Sequence, residues 1–254
     1  MIRIDQVGLT LHGHDILTDV SAEIPKTGIT ALIGPNGAGK SSLLHCVAGL
    51  TRTSAGRIEV DGLDIAAAPD LERARTLAIL TQSQAVSSRL KVEDLVAFGR
   101  WPHHQGQITA RDRDIVDEAL DTFGLQDLRG RYLDTLSGGQ RQRAFVAMTH
   151  AQSTGWLLLD EPLNALDPRY AHDLMSRLHA MSRPGPDSRA VVIVVHDLNA
   201  AAAWADRVVA MKDGRVVAAG PRDEVLTETT LTGLFDTPFG VLSHANRLFI
   251  FTNG

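Results

Sequence analysis

Ile29-Thr30-Ala31-Leu32-Ile33-Gly34-Pro35-Asn36-Gly37-Ala38-Gly39-Lys40-Ser41 is the stretch on which the reading of this chain turns. A β-branched apolar run of strand character breaks into a glycine-rich turn, and beyond Lys40 the apolar Leu43, Leu44, Val47 and Leu50 share one helical face. That order of strand, turn and helix is the context in which G-x-x-x-x-G-K-[ST] carries meaning, and Gly34 to Ser41 satisfies it in full. Glycines let the backbone curl so that successive N–H groups point inward, while the helix N-terminus adds partial positive charge toward a polyphosphate. Gly34, Pro35, Asn36, Gly37, Ala38, Gly39, Lys40, Ser41 and Ser42 are therefore the expected nucleotide contacts. In this reading Lys40 reaches the β- and γ-phosphates and Ser41 ligates Mg²⁺. A dinucleotide site fits poorly, because the glycines read G-x-x-G-x-G and not G-x-G-x-x-G.

Hydrolysis needs a second, acidic element, and Leu157-Leu158-Leu159-Asp160-Glu161-Pro162 supplies one where an apolar strand ends. With a phosphate loop in the same chain, Asp160 reads as the residue that holds Mg²⁺ through its water shell, and Glu161 as the one that polarises the attacking water. His196 closes the Val191 to Val195 run at the carboxyl edge of the sheet, where ligands of open α/β sheets bind. On its own it reads either as a γ-phosphate contact or as a structural histidine. Gln82 follows Leu77 to Thr81 in the same way and offers an amide oxygen to Mg²⁺ or to the water.

Working outward, Ile2 to Ile4, Val7 to Leu11 and Val20 to Ile24 alternate apolar and polar residues, which predicts an N-terminal β layer. Leu77 to Leu80, Trp156 to Leu159 and Ala190 to Val195 are short and fully apolar, as strands of a parallel sheet covered on both faces are. Between them, from Lys91 to Ser153, the spacing is helical: Val92, Leu95, Val96 and Gly99, then Ile115, Ala119, Leu120 and Phe123, then Arg141 to Ala151. This block is expected to be an inserted helical subdomain. Pro184 to Ser188 reads as a surface turn, Val208 to Ala218 as a hairpin, and Leu248 to Phe251 as a closing strand.

The 254 residues are 44 % hydrophobic and 22 % charged, an ordinary globular composition, and the formal net charge of −5 argues against nucleic acid as a partner. The single cysteine, Cys46, excludes an intramolecular disulfide and a multi-thiol zinc site and reads as a small core residue. Met1 to Asp5 has neither the basic nor the apolar region of a secretory signal, and no apolar run approaches the roughly 20 residues of a membrane span. The expectation is a chain that works inside the cell and meets any membrane from the aqueous side. His12, His14, His103 and His104 read as solvated loop residues without a metal-binding arrangement. Trp101 reads either as an exposed anchor or as packing within the helical block.

Leu136-Ser137-Gly138-Gly139-Gln140-Arg141-Gln142-Arg143 resembles the signature motif of ATP-binding-cassette (ABC) ATPases. The resemblance orders the other elements as well: Walker A at Gly34 to Ser41, the Q-loop glutamine at Gln82, Walker B at Leu157 to Asp160 with Glu161 beside it, a D-loop at Ala165-Leu166-Asp167, and the switch histidine at His196. It implies an α/β P-loop NTPase cassette with a mostly parallel core sheet, an N-terminal antiparallel β layer and an inserted helical subdomain. Residues 1–87 and 156–254 would form the catalytic core and 88–155 the signature subdomain. It also implies ATP and Mg²⁺ as cofactors and a homodimer in which Ser137, Gly138, Gly139, Gln140 and Asp167 meet the ATP held by the opposite subunit. Counting back from Ile16-Leu17 to the family's adenine-stacking position reaches Leu11, with His12 beside it, in place of the usual aromatic residue.

Within the family, Val92 to Arg100, Arg141 to Met148 and His196-Asp197-Leu198-Asn199 resemble the ATPase subunits of bacterial importers for iron–siderophore, haem and cobalamin complexes. The implied partners are integral membrane permease subunits and, indirectly, a substrate-binding protein. The implied place is the cytoplasmic face of the membrane, and the favoured cargo is a ferric siderophore chelate. Haem or cobalamin import is the alternative. More distant rivals are a soluble ABC protein of translation or DNA repair and a binding-only ATP sensor.

Overall fold

The computed structural model describes residues 1–82, 89–164, 166–185, 188–245 and 247–252. Strands β1 (Ile2–Leu11) and β2 (His14–Ile24) turn on His12 and Gly13, both in the left-handed region, and pair antiparallel. The alternation read in the sequence buries Ile2, Ile4, Val7, Leu9, Leu17, Val20 and Ile24 on one side of this pair. Strand β3 (Ile29–Ile33) is buried at every position and feeds helix α1 (Lys40–Val47) through the phosphate loop. Strands β4 (Ala55–Val60) and β5 (Leu63–Asp64) then complete a four-stranded layer in the order β2-β1-β4-β5, antiparallel as expected.

After α2 (Asp70–Thr76) and β6 (Leu77–Leu80) come the helices of the inserted block: α3 (Val92–Phe98), α4 (Trp101–His104), α5 (Ala110–Thr122) and α6 (Gly138–Ala151). The chain returns to the sheet as β7 (Trp156–Asp160), crosses through α7 (Pro168–Met181) to β8 (Ala190–Val194), and through α8 (Leu198–Trp204) to β9 (Arg207–Lys212). Strand β10 (Arg215–Pro221) folds back on β9, with Asp213 and Gly214 both left-handed in the turn, as a two-residue hairpin requires. Helices α9 (Arg222–Val225) and α10 (Glu228–Phe235) lead to β11 (Phe239–His244) and β12 (Arg247–Thr252).

The main sheet runs β10-β9-β3-β8-β7-β6, with parallel pairing from β9 to β6 and only β10 antiparallel. Period-2 alternation divides its core between two faces. Ile29, Ala31, Ile33, Leu157, Leu159, Val191 and Ile193 pack among the helices, whereas Leu32, Trp156, Leu158, Val192 and Val194 pack against α1 and the antiparallel layer.

The helical block is inserted in sequence, yet Val92, Val96, Leu120, Phe145 and Ala147 belong to the same buried cluster as the sheet residues Ala31, Leu157 and Ile193. Helices α3 and α6 cross so closely that a Cβ on Gly99 would lie 2.2 Å from the Met148 carbonyl oxygen. The junction expected at residues 87/88 lies outside the described residues, as do two residues of the turn expected at 184–188.

Trp101 is 54 % exposed, its ring touched edge-on by His104, so it is not packed away within the helical block. Cys46 is buried in the core, as expected. The closing strand expected at Leu248 to Phe251 is β12, which among the described residues pairs with β11 in a separate two-stranded ribbon. Apolar periodicity identified a strand there, but its ladder is set by tertiary contacts. The Asn199 amide donates to the Ile250 carbonyl at 2.9 Å and accepts from the Ile250 N–H at 2.8 Å, which docks the ribbon on α8.

Candidate functional site

The phosphate loop is shaped where only glycine fits. Gly34 has φ +147°, and a Cβ there would lie 2.0 Å from the Met211 carbonyl oxygen. Gly39, at φ +92°, caps α1 where an added Cβ would lie 2.7 Å from the Leu17 side chain and 3.0 Å from the Ile16 carbonyl oxygen. Lys40, the first residue of that helix, is 5 % exposed, and its Nζ donates at 2.8 Å to the carbonyls of both Gly34 and Pro35. Burial holds its pKa below the ordinary lysine value, and the carboxylates of Glu161 and Asp160 act in the opposite sense.

Asp160 ends β7 with 1 % of its surface exposed, and Ser41 Oγ donates to its Oδ1 at 2.9 Å. Burial raises its pKa against the Ser41 hydrogen bond and the charges of His45 and Lys40. The other oxygen, Oδ2, is buried without a hydrogen-bond partner. A buried carboxylate joined to a serine hydroxyl is an oxygen donor set that suits a hard cation.

Glu161 follows with its backbone in the left-handed region, φ 51°, which turns its carboxylate back over the sheet edge. Gln82 Nε2 donates to Oε2 at 2.8 Å, Asn164 Nδ2 donates to the same oxygen, and His196 Nε2 donates to Oε1. Burial works to raise the Glu161 pKa, but the His196 bond and charge, the Asn164 bond and the Lys40 charge outweigh it and hold it below the ordinary glutamate value. Glu161 is thus an ionised carboxylate gripped by side chains from separate segments of the chain.

A cleft of about 690 Å³ opens here, lined by Ile16, residues 36–42, Gln82, Glu161, Asn164 and His196. The expected phosphate-loop, Gln82, Glu161 and His196 positions therefore converge, with Asp160 directly beneath through Ser41. Gly34 and Pro35 contribute the carbonyls that hold Lys40 and do not line the cleft.

Leu11 and His12, expected at the base position, lie exposed at the β1–β2 turn, outside the lining of the cleft. The turn at His12 and Gly13 reverses the chain, so the apolar residue that reaches the cleft is Ile16, on β2.

Ser137, Gly138, Gly139 and Gln140 lie at the start of α6, outside the cleft. Ser137 Oγ accepts the Gln140 N–H and Gln140 Oε1 accepts the Ser137 N–H, a reciprocal cap that fixes the helix N-terminus in place. Asp167 caps α7 by accepting the Tyr170 N–H at 3.1 Å and also lies outside the cleft. Ala165 of the same expected loop lies outside the described residues.

Ile16 and Asn164 line the cleft without having been expected there, and His45 stands beside Asp160. Asn164 stands three residues after Glu161 across a left-handed turn, and His45 stands four after Ser41 on α1, spacings that place them beside the carboxylates. His103 and His104 make ordinary local contacts, with the Gln152 carbonyl and the Gly106 N–H. Among the described residues there is no group of three or more His, Cys, Asp or Glu side chains arranged to hold a metal, and no helix long and apolar enough to cross a membrane.

The petrobactin import ATP-binding protein YclP of Bacillus subtilis (strain 168) is 40 % identical to this chain over 247 residues, covering 97 % of each. The petrobactin import ATP-binding protein FatE of Bacillus anthracis is 41 % identical, covering 95 % of this chain and 96 % of its own. Among solved structures, cbiO1 of Clostridium perfringens, part of the ABC transporter complex cbiONQ, superposes with a TM-score of 0.77 at 27 % identity, covering 91 % of this chain and 92 % of that one. The sequence profile of the family described as ABC transporter matches residues 17–164, from within β2 through the phosphate loop and the signature helix to Asn164. With that match over a site built from a phosphate loop and a caged carboxylate, the chain belongs to the ABC transporter family and is one of its nucleotide-binding, ATP-hydrolysing subunits.

Proposed function

We propose that this chain powers the import of a ferric siderophore chelate through a membrane permease, working as a homodimer on the cytoplasmic face of the membrane. The observation that carries the cargo is the near end-to-end similarity to two petrobactin import ATP-binding proteins, since no residue of the chain itself meets cargo. A substrate-binding protein outside the membrane would deliver the chelate to the permease.

The site supports the hydrolytic half of this reading. ATP enters the cleft with its phosphates against the N–H groups of residues 36–42, and Lys40 exchanges its two carbonyl partners for the β- and γ-phosphates. Ser41 and the amide oxygen of Gln82 would hold Mg²⁺, with Asp160 acting through its water shell, and the ion would neutralise charge on the phosphates. Glu161, already ionised, accepts a proton from the attacking water, and His196 holds that carboxylate toward the cleft.

Completion of the site by Ser137, Gly138, Gly139, Gln140 and Asp167 from a second copy explains why these residues lie away from the cleft of their own chain. Closure around ATP is then a population shift, because only the closed pair lets one nucleotide contact both subunits. Trp101, exposed after Gly99 and Arg100 on the helical block, is the anchor for the permease.

The test is accumulation of labelled ferric petrobactin, haem and cobalamin in cells whose native copy is replaced by wild type or by Glu161→Gln. Loss of the ferric chelate alone in the mutant supports the proposal. Equal entry of all three in both strains rejects it, and loss of haem or cobalamin alone transfers the assignment to that cargo.

A further inference from the structure

His45 lies one turn after Ser41 on α1, so the two side chains leave the same face of the helix and both meet the end of β7. Ser41 Oγ holds Asp160 Oδ1 at 2.9 Å, and His45 Nε2 faces the other oxygen, Oδ2, at 3.7 Å. Neither Nε2 nor Oδ2 has a hydrogen-bond partner, and both atoms are out of solvent. The imidazole as a whole is 32 % exposed and Asp160 only 1 %, so the ring keeps one edge in solvent while its inner nitrogen is aimed at a buried carboxylate. Their separation is too long for a hydrogen bond and too short for a water molecule between them. A small rotation of either side chain closes the gap, and each atom is the other's nearest chance of being satisfied.

We infer that His45 is a positioning residue for Asp160, its Nε2–H closing on Oδ2 so that the carboxylate is held from both sides, by Ser41 on one oxygen and by His45 on the other. This rests on the reading of Asp160 and Ser41 as the cation-holding pair. A carboxylate pinned at both oxygens keeps one orientation and presents its remaining lone pairs at a fixed place, whereas a carboxylate held at one oxygen turns about that bond. Outer partners of this kind typically change cation affinity by about 10- to 100-fold when removed. Neutral imidazole suffices, since the only requirement is a hydrogen on Nε2.

The experiment measures Mn²⁺ binding by electron paramagnetic resonance to the full chain loaded with a non-hydrolysable ATP analogue, beside the affinity of the analogue without metal. His45→Ala is expected to weaken Mn²⁺ binding by about tenfold while metal-free analogue affinity stays unchanged. His45→Gln, whose Nε2 has similar reach and carries hydrogen at every pH, is expected to restore most of the lost affinity. If His45→Ala does not fold, His45→Leu set against His45→Gln makes the same comparison. Native affinity in the Ala or Leu variant, or equal weakening in the Gln variant, overturns the inference. Failure of the wild-type chain to bind Mn²⁺ with the analogue instead overturns the cation reading itself, so the two failures are told apart.

Discussion

Glu161 and His196 meet through Oε1 and Nε2 across the ends of the neighbouring parallel strands β7 and β8, Glu161 directly after its strand and His196 two residues after its own. Glu161→Gln keeps the shape of that contact and removes the base. Turnover is expected to fall by at least about 100-fold with ATP binding retained, read from steady-state phosphate release and from equilibrium binding of a fluorescent nucleotide. Undiminished turnover would remove Glu161 from the role of base.

The same contact sets a pH dependence. With its pKa below the ordinary glutamate value, Glu161 stays ionised, and active as a base, into more acidic solution than a free glutamate would. His196→Ala removes the hydrogen bond and charge that do most to favour the ionised carboxylate, so Glu161 takes up its proton at a higher pH. The acid limb of the kcat profile is expected to move upward in pH in that variant, and an unmoved limb would show that another group governs it.

Ser137 caps α6 away from its own cleft, so a bulky cation there leaves the phosphate loop of the same chain untouched. Ser137→Arg is expected to bind ATP with near-native affinity as a monomer yet lose at least about 100-fold in turnover. Sedimentation with ATP in the Glu161→Gln background should show a dimer for the native signature and a monomer for the Arg variant. Native turnover by Ser137→Arg would reject the paired-subunit site.

Arg100 and Asp112 form an ion pair at 3.0 Å with both side chains only 7 % exposed, and Asp112 also closes the cap of α5 with Thr109. The hydrogen bonds from Thr109 and Arg100 outweigh the cost of burial and bring the Asp112 pKa to about 2. A depressed carboxylate pKa contributes stability that is complete above the unfolded value near 4 and fades as pH falls toward 2. Asp112→Asn, which leaves Arg100 buried beside a neutral partner, is expected to cost about 3 kcal/mol at pH 7 in urea unfolding, with the gap to wild type narrowing below pH 4. A gap that stays constant down to pH 2 would contradict this account.

Gly34→Ala places a Cβ 2.0 Å from the Met211 carbonyl oxygen at a backbone angle that side chains avoid. A loss of at least about 3 kcal/mol is expected in the same unfolding assay. A variant within experimental error of wild type would mean that β3 and β9 can separate locally without penalty.

The sequence made the loop, the two carboxylates, Gln82 and His196 readable because each follows a short apolar strand, and parallel strands end at one edge of a sheet. Where a contact depends on how elements turn or pack, periodicity was silent. Ile16 lines the cleft because the chain reverses at His12 and Gly13 and returns past it on β2. Asn164 reaches Glu161 because of a left-handed residue, and His45 faces Asp160 because α1 packs over β7, neither of which a pattern of apolar spacing encodes. The helical block reads as separate from its sequence, but its apolar faces are drawn into the core of the sheet.

Cys46 is the single thiol of the chain, and burial on α1 lifts its pKa to about 11. At neutral pH it is therefore almost wholly protonated and shielded, slow toward maleimides and methanethiosulfonates. A cysteine introduced on the surface, in place of Thr135 before the signature for example, becomes the one fast-reacting site for a dye or spin label with no native residue to remove. The distance between two such labels, one on each copy, then reports opening and closing of the pair directly, in the unaltered core.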